Sequence, residues 1–193
     1  MRRQFLPWLI IAANAVVLVL MRLDGFPADT SVPLRYGALH PQLVFGLGQY
    51  YRMFTSLFIH FSLMHLAMNA SGLLIFGLRV EKYYGRFGFL LIYFISGLVG
   101  SLSSLLFTRG YAAGASGAVY GLVGAMLVLT FVSKREVEQI NARVMLVYIA
   151  FGLALGFSNQ GIDNFAHVGG LLAGCAVSYL LLKFKRKPMY GNI

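Results

Sequence analysis

Long uncharged apolar stretches constrain the fold of this chain more than any other feature. Six can be drawn, at about 5–21, 54–78, 87–107, 116–132, 144–157 and 164–182. Most approach the roughly 20 residues that a helix needs to cross the hydrocarbon core of a membrane, although the fifth is short. With 59% hydrophobic and 11% charged residues, the chain has too few polar side chains to cover a water-soluble domain of its size. The sequence therefore predicts an all-α integral membrane protein with six transmembrane helices.

The positions of the basic residues predict the orientation of these helices, because Lys and Arg concentrate in cytoplasmic loops. If all six stretches span the membrane, 12 of the 16 Lys and Arg residues lie on one side and only 4 on the other. We therefore expect both termini in the cytoplasm, with the tail "KFKRKP" as an orientation anchor. The first stretch follows "MRRQ" as in a signal peptide, but no A-x-A cleavage pattern follows it, which favours a retained helix.

The connection over residues 22–53 is the only long one between the stretches. It contains three prolines and the run "VFGLGQYYRMF", which is too apolar for a solvated linker. We expect this outer loop to be partly embedded in the membrane interface, with Tyr50 and Tyr51 as aromatic anchors. No internal repeat is visible, so residues 1–193 are predicted to form one domain.

Charge and cysteine content argue against several other protein classes. The net charge of +10 invites a nucleic-acid reading, but the basic residues form short clusters between apolar runs, so no nucleic-acid partner is expected. The single Cys175 provides neither a disulfide framework nor a cysteine-based zinc site. His60 and His65 are five residues apart with no carboxylate nearby, unlike the H-E-x-x-H of zinc proteases. We expect no metal and no other cofactor.

Polar residues inside the apolar stretches are the candidates for function, since burying them in a membrane is costly. "HFSLMHLAMN" places His65 and Asn69 four residues apart on one helical face, about three turns into the second stretch by its predicted start, with His60 near the helix entrance. "GASGAVYG" in the same way places Ser116 and Tyr120 on one face of the fourth.

The sixth stretch begins with "DNFAHVGGLLAG", which contributes a further candidate, His167. Small residues line one flank of the fourth and sixth stretches, at Gly114, Gly117, Gly121 and Gly124 and at Gly170 and Gly174. Such surfaces let two helix backbones approach closely. That approach would bring Ser116 within hydrogen-bonding reach of His167, which is the minimum set for acyl transfer. His65, Asn69 and the Ser116 backbone N–H are the available donors for an oxyanion.

These motifs resemble those of the rhomboid intramembrane serine proteases. "GASG" is similar to the family's G-x-S-G, "AHVGGLLAG" to its A-H-x-x-G-x-x-x-G, and "HFSLMHLAMN" to the H-x-x-x-x-H-x-x-x-N of its second helix. "EKYYG" at 81–85 resembles the family's acidic residue with a glycine four later. One position departs: Tyr51-Arg52 replaces the usual Trp-Arg of the outer loop, which keeps the chemistry of an interfacial anchor.

The resemblance implies a six-helix bundle with Ser116 at the start of a short central fourth helix, in a water-filled cavity open to the outside. It assigns Ser116 as the nucleophile and His167 as the general base. It further assigns His65, Asn69 and the Ser116 amide as the oxyanion site, and Tyr120 as the residue that orients the imidazole. No acidic third member is implied, and we expect Asp163 to cap a helix instead. The fifth stretch is the expected lateral gate.

The implied function is intramembrane cleavage of the transmembrane segments of membrane proteins near the outer face. Such substrates and membrane lipids would be the partners, and a bacterial or archaeal plasma membrane the location. Two alternatives stay open at this point. One is a catalytically inactive relative that binds membrane helices. The other is a transporter or channel lined by polar residues, although that reading leaves a serine in "GASG" opposite a histidine on another span unexplained.

Overall fold

The computed structural model describes residues 4–133, 140–158 and 162–184. This part of the chain is helical and contains no strand; Leu39 and Ala112 form an isolated bridge. The helices are α1 (Leu6–Leu23), α2 (Val32–Arg35), α3 (Arg52–Thr55), α4 (Leu63–Gly72), α5 (Leu78–Phe107), α6 (Ser116–Ser133), α7 (Ala142–Ser158) and α8 (Asn164–Phe184). The all-α prediction is confirmed. Several residues used for the orientation, among them Arg2, Arg3, Lys134, Arg135 and 185–187, lie outside the described residues.

Helix α6 occupies the centre of the bundle, since every residue from 117 to 126 is buried. An apolar surface on every side is typical of a helix that is enclosed by protein or by lipid. Helices α5 and α8 supply most of that cover. By length and composition, Leu6–Leu23, Leu63–Phe107 and Asn164–Phe184 are sufficient to cross a membrane, and α6 and α7 are shorter apolar helices.

The second and third predicted stretches form one helical run of 45 residues, Leu63–Phe107, interrupted at Gly85. Residues Leu73–Gly77 of this run form a π-helical turn between α4 and α5. Gly85 has a φ of 73° and a ψ of 175°, a conformation that favours glycine. The first half therefore ends at Tyr84 rather than near residue 78 as predicted. The charged residues at 79–82 indicated a loop, but Glu81 is buried and accepts a hydrogen bond from the Leu6 N–H at 3.1 Å, which caps α1.

The predicted start of the second stretch at residue 54 is wrong. Ser56–Phe58 form a 3-10 turn, Ile59 is extended, and α4 begins only after Ser62, whose hydroxyl accepts a hydrogen bond from the His65 N–H at 3.0 Å. His65 therefore lies in the first turn of its helix and not three turns deep. Residues 54–59 are apolar because this segment of the outer loop packs against the bundle: Leu57 and Ile59 are 2% and 1% exposed.

The outer loop packs against α5 and is tied together by Arg52. The guanidinium of Arg52 is 6% exposed and donates to Gln49 Oε1 and to the carbonyl oxygens of Leu34 and Ala38. Arg52 is thus an internal cross-link of the loop, and its prediction as an interfacial anchor is wrong. The sequence does not distinguish the two roles, because an arginine beside aromatic residues is compatible with contacts to lipid headgroups and with hydrogen bonds to backbone carbonyls. Tyr50 and Tyr51 are more than half exposed.

Candidate active site

Three helix backbones meet at one point of the bundle, next to the proposed nucleophile. A side chain at Gly100 of α5 would place its Cβ 2.8 Å from the Ala166 carbonyl oxygen of α8 and 3.3 Å from the Gly117 Cα of α6. A Cβ at Gly170 would lie 2.6 Å from the carbonyl carbon of Gly117. Since real Cβ atoms do not approach other atoms so closely, only glycine permits this arrangement. The predicted packing of α6 against α8 through their glycines is present in the structure.

Ser116 is the first residue of α6, and the chain before it is fixed by two contacts of Gly114. This glycine, predicted as part of the helical flank, lies ahead of the helix with a φ of 132°. Its N–H donates to the Ser56 carbonyl oxygen at 2.9 Å. A Cβ at position 114 would also lie 2.8 Å from Nε2 of His65. Ser116 is partly exposed, while the ten residues that follow it are buried. Ser116 therefore lies at the accessible N-terminal end of a helix whose next ten residues are enclosed by the bundle.

His167 lies in the first turn of α8, and its ring stacks on Tyr120. The ring centroids are 4.1 Å apart and the planes differ by 6°. Tyr120 is one helical turn beyond Ser116 on the same face of α6. The stack and the Gly117–Gly170 contact together place the imidazole beside the start of α6. Among the described residues, no hydrogen bond joins Ser116 Oγ to His167, and such bonds are often long or absent before substrate binds.

The Nδ1 atom of His167 has no carboxylate partner among the described residues. His167 Nδ1 is buried and has no hydrogen-bond partner among the described residues. Asp163 Oδ1 instead accepts hydrogen bonds from the Ala166 N–H at 3.0 Å and from the Thr108 hydroxyl at 3.0 Å. The predicted helix-capping role of Asp163 is confirmed. The orientation of His167 therefore rests on packing against Tyr120.

His65 presents its Nε2 toward the segment that precedes Ser116. The Phe61 N–H donates to His65 Nδ1 at 3.5 Å. A neutral imidazole that accepts at one nitrogen carries its proton on the other, so Nε2 is the donor, directed at the Gly114 backbone. His60 is fully buried, and its ring lies 4.9 Å from that of His65 at an angle of 60°. His60 thus packs against the His65 ring in an edge-to-face contact.

Asn69 lies one turn after His65 on the same face of α4 and is 5% exposed. Its Nδ2 donates to the His65 carbonyl oxygen at 2.9 Å. A side-chain amide has two N–H donors, so this bond fixes the amide and leaves the second N–H available. No cluster of three or more His, Cys, Asp or Glu side chains within the described ranges could hold a metal ion.

Residues 47–184 match the family model of the Rhomboid domain. The chain belongs to the rhomboid family. It is 34% identical over 167 residues to the Rhomboid protease GluP of Bacillus subtilis, an alignment that covers 86% of this chain and 33% of GluP. It is 37% identical over 183 residues to RHOMBOID-like protein 6, mitochondrial, of Arabidopsis thaliana, which covers 89% of this chain and 59% of that protein.

A third relative is of similar length to this rhomboid chain. The Putative rhomboid protease YdcA of Bacillus subtilis is 28% identical over 180 residues, covering 92% of this chain and 89% of YdcA. By contrast, the chain spans only a third to three fifths of the length of GluP and RHOMBOID-like protein 6. Its family membership and its apolar helices together identify this rhomboid as an integral membrane protein.

Sequence reasoning missed two residues that shape this rhomboid site. Gly100 completes the three-helix contact, and the small residues of "SGLVGS" at 96–101 are the signal that would have identified it. Gly152 of α7 faces the Tyr120 hydroxyl. The sequence predicted only a lateral gate for this stretch, and nothing in it pairs Gly152 with Tyr120.

Proposed function

We propose that this rhomboid is an intramembrane serine endopeptidase in which Ser116 is the nucleophile and His167 the base. The observation that carries the proposal is the stack of His167 on Tyr120, one turn from Ser116, at a point where α6 and α8 touch backbone to backbone. The names of GluP and YdcA as rhomboid proteases support the same reaction class.

The reaction that this arrangement supports has two halves. The Ser116 hydroxyl oxygen attacks the scissile carbonyl carbon while His167 accepts the hydroxyl proton. The tetrahedral intermediate then breaks its C–N bond, and the imidazolium returns that proton to the leaving amine. Water, deprotonated by His167, hydrolyses the resulting ester and releases Ser116. The Tyr120 stack keeps the imidazole in one orientation through both halves, a role that falls to it because no carboxylate among the described residues bonds Nδ1.

We propose that three donors stabilise the negative charge that develops on the carbonyl oxygen. They are His65 Nε2–H, the second N–H of the Asn69 amide, and the Ser116 backbone N–H at the first turn of α6, which lacks an intrahelical acceptor. Fixed donors of this kind stabilise the oxyanion because they need no rearrangement during the reaction. The contact of His65 with Gly114 and the bond of Asn69 to the His65 carbonyl support this role.

We further propose one domain over residues 1–193 that crosses the membrane six times, with both termini in the cytoplasm. The spans are α1, the two halves of Leu63–Phe107 on either side of Gly85, α6, α7 and α8. Labelling of single cysteines in a Cys175→Ala background tests this topology. An impermeant thiol reagent added to intact cells should modify Thr30→Cys and leave Lys82→Cys unmodified. Labelling of both or of Lys82→Cys alone would overturn the orientation.

Transmembrane segments of other membrane proteins are the proposed substrates, surrounded by membrane lipids. Cleavage near the outer face follows from the proposed topology, because Ser116 begins a helix that runs inward from the outer side. Large apolar side chains such as Phe151 and Phe157 are exposed on α7, which supports α7 as the helix that a substrate displaces. A bacterial or archaeal plasma membrane is the proposed location, supported by the full-length match to YdcA and testable by membrane fractionation.

Cleavage of a transmembrane reporter in liposomes tests the proposed function. Ser116→Ala and His167→Ala should each abolish cleavage, while Ser71→Ala, a matched change at an exposed serine of α4, should not. A fluorophosphonate should label the wild-type protein and the Ser71→Ala variant but not Ser116→Ala. Cleavage that persists in Ser116→Ala would refute the mechanism. Folded protein that binds the reporter but neither cleaves nor labels would instead favour an inactive, helix-binding relative.

A further inference from the structure

Helix α7 attaches to the bundle through one narrow face. Met145 is fully buried, and Tyr148 packs its ring 4.9 Å from that of Phe76. Gly152 follows one turn after Tyr148, so these positions form a stripe with the three- and four-residue spacing of a helical face. On the opposite side, Leu146, Val147 and Phe151 are each more than half exposed.

Tyr120 lies between this face of α7 and the proposed catalytic base. One side of its ring stacks on His167, and its hydroxyl end meets α7 at Gly152. A Cβ at position 152 would overlap the Tyr120 hydroxyl oxygen and would lie 3.1 Å from Cζ. The Tyr148 ring is a further neighbour, at 5.8 Å between centroids.

Shape alone holds Tyr120 in this position. Tyr120 is 3% exposed, and its hydroxyl group is buried without a hydrogen-bond partner among the described residues. No directional bond therefore fixes the end of the side chain. The α7 backbone at Gly152 contacts the Tyr120 hydroxyl group and thereby limits movement of the tyrosine ring parallel to the His167 ring.

We propose that Gly152 is a positioning residue for the catalytic imidazole. Because Gly152 has no side chain, the Tyr120 hydroxyl group fits against the α7 backbone. The position of α7 therefore determines the position of Tyr120, and Tyr120 in turn determines the orientation of His167. This inference rests on the proposed function of Ser116 and His167. It implies that the imidazole is aligned only while α7 is docked, so the reactivity of Ser116 depends on a helix that does not contribute a reacting group.

A double-mutant cycle between Gly152→Ala and Tyr120→Phe separates this role from ordinary packing. Gly152→Ala adds the methyl group that collides with the hydroxyl group, and Tyr120→Phe removes the hydroxyl group but keeps the ring. Alanine favours helix more than glycine does, so a loss of activity in Gly152→Ala does not arise from a weakened α7. Val147→Ile adds one methylene to the exposed face of the same helix and is the matched control.

The kinetic readouts are kcat and KM for the reporter and the rate of Ser116 labelling by a fluorophosphonate, which needs no helical substrate. Gly152→Ala should lower kcat and the labelling rate by on the order of 10- to 100-fold with little change in KM, since a displacement near 1 Å has effects of this size. In the Tyr120→Phe background, the same substitution should lower both by no more than about threefold, because contacting sites are not additive. Val147→Ile should match the wild type.

Thermal unfolding in detergent provides a readout that does not depend on activity. Gly152→Ala should lower the Tm in the wild-type background and lower it less in the Tyr120→Phe background, because the closest part of the clash is with the hydroxyl group. Equal effects of Gly152→Ala in both backgrounds, in Tm and in kcat, would overturn the inference while leaving the proposed function intact. A Tm coupling without any change in kcat or labelling rate would reduce Gly152 to a packing residue. Failure of the proposed function would appear separately, as a wild-type protein that neither cleaves nor labels.

Discussion

Gly170→Ala tests whether the contact between α6 and α8 sets the proposed reaction geometry. The new Cβ would lie 2.6 Å from the Gly117 carbonyl carbon, whereas ordinary van der Waals contact begins at 3.4 Å. The obstructing atoms belong to the backbone, so no side chain can rotate away. The two helices must therefore separate by more than ~0.8 Å, the difference between these two distances, because the Gly117 carbonyl oxygen lies closer still to that Cβ. His167 is one turn from Gly170 and moves with it, away from Ser116.

Two magnitudes follow from this displacement. Overpacking typically destabilises a protein by about 1–3 kcal/mol, and replacing glycine by alanine in a helix returns up to about 1 kcal/mol. The net loss of stability should therefore be about 0–3 kcal/mol, and we expect the protein to stay folded. A misplacement of about 1 Å costs on the order of 100-fold in rate, so kcat should fall far more than stability does.

The assay is reporter cleavage in liposomes, with the Tm in detergent as the measure of folding. Gly174→Ala creates the same backbone clash at Gly121, one turn farther from the site, and should lower kcat less at a similar Tm. Val168→Ile adds a methylene at a position that is 41% exposed and should match the wild type. If Gly170→Ala kept kcat within about threefold of the wild type, or lost no more activity than Gly174→Ala, helix spacing would not control the proposed geometry.

Three further substitutions test individual contacts. Ser62→Ala removes the hydroxyl group that caps α4 at His65 and should cost about 1 kcal/mol of unfolding free energy; an unchanged Tm would argue against the cap. Arg52→Lys replaces the planar guanidinium with a compact ammonium that cannot reach the three acceptors in the same geometry, which should cost about 2 kcal/mol and raise proteolysis of the outer loop. Hydrogen bonds from Ser31 and from Arg35 lower the pKa of Asp29 to about 2, so this carboxylate stabilises the fold above pH 4 and loses that effect between pH 4 and 2. In Asp29→Asn, the Tm should lose this part of its pH dependence.

The contact between α6 and α8 could be predicted because its signal is local. Gly117 and Gly121 recur at the helical spacing that lets backbones touch, as do Gly170 and Gly174. That pattern places the residues just ahead of each glycine run side by side, and these residues include Ser116 and His167. Predicting Tyr120 beside His167 needed only the four-residue offset from Ser116 and the family resemblance.

The outer loop and the start of α4 could not be predicted in the same way. Residues 54–59 resemble part of a membrane helix in composition, but they are buried in the protein, with Leu57 against Gly97 of α5 and Ile59 in a cluster with Met21 of α1. Composition alone does not distinguish such burial from lipid contact. Glu81 and Arg52 were expected at exposed positions but are buried, for a related reason. Each is buried because it satisfies backbone groups distant in sequence, at Leu6 for Glu81 and at Leu34 for Arg52. No local pattern encodes such partners.

Within the described part of the chain His167 Nδ1 has no hydrogen-bond partner, and this arrangement has a physical rationale in a membrane. A buried carboxylate at that nitrogen would carry a desolvation cost of several kcal/mol, and the hydrocarbon around the bundle offers nothing to offset it. Glycine contacts position the imidazole without charge, at about 1 kcal/mol of helix propensity for each glycine. The consequence is that geometry here depends on helix spacing rather than on a hydrogen-bond network. Activity should therefore tolerate Asp163→Asn, which keeps an oxygen for the α8 cap, far better than it tolerates one methyl group at Gly170.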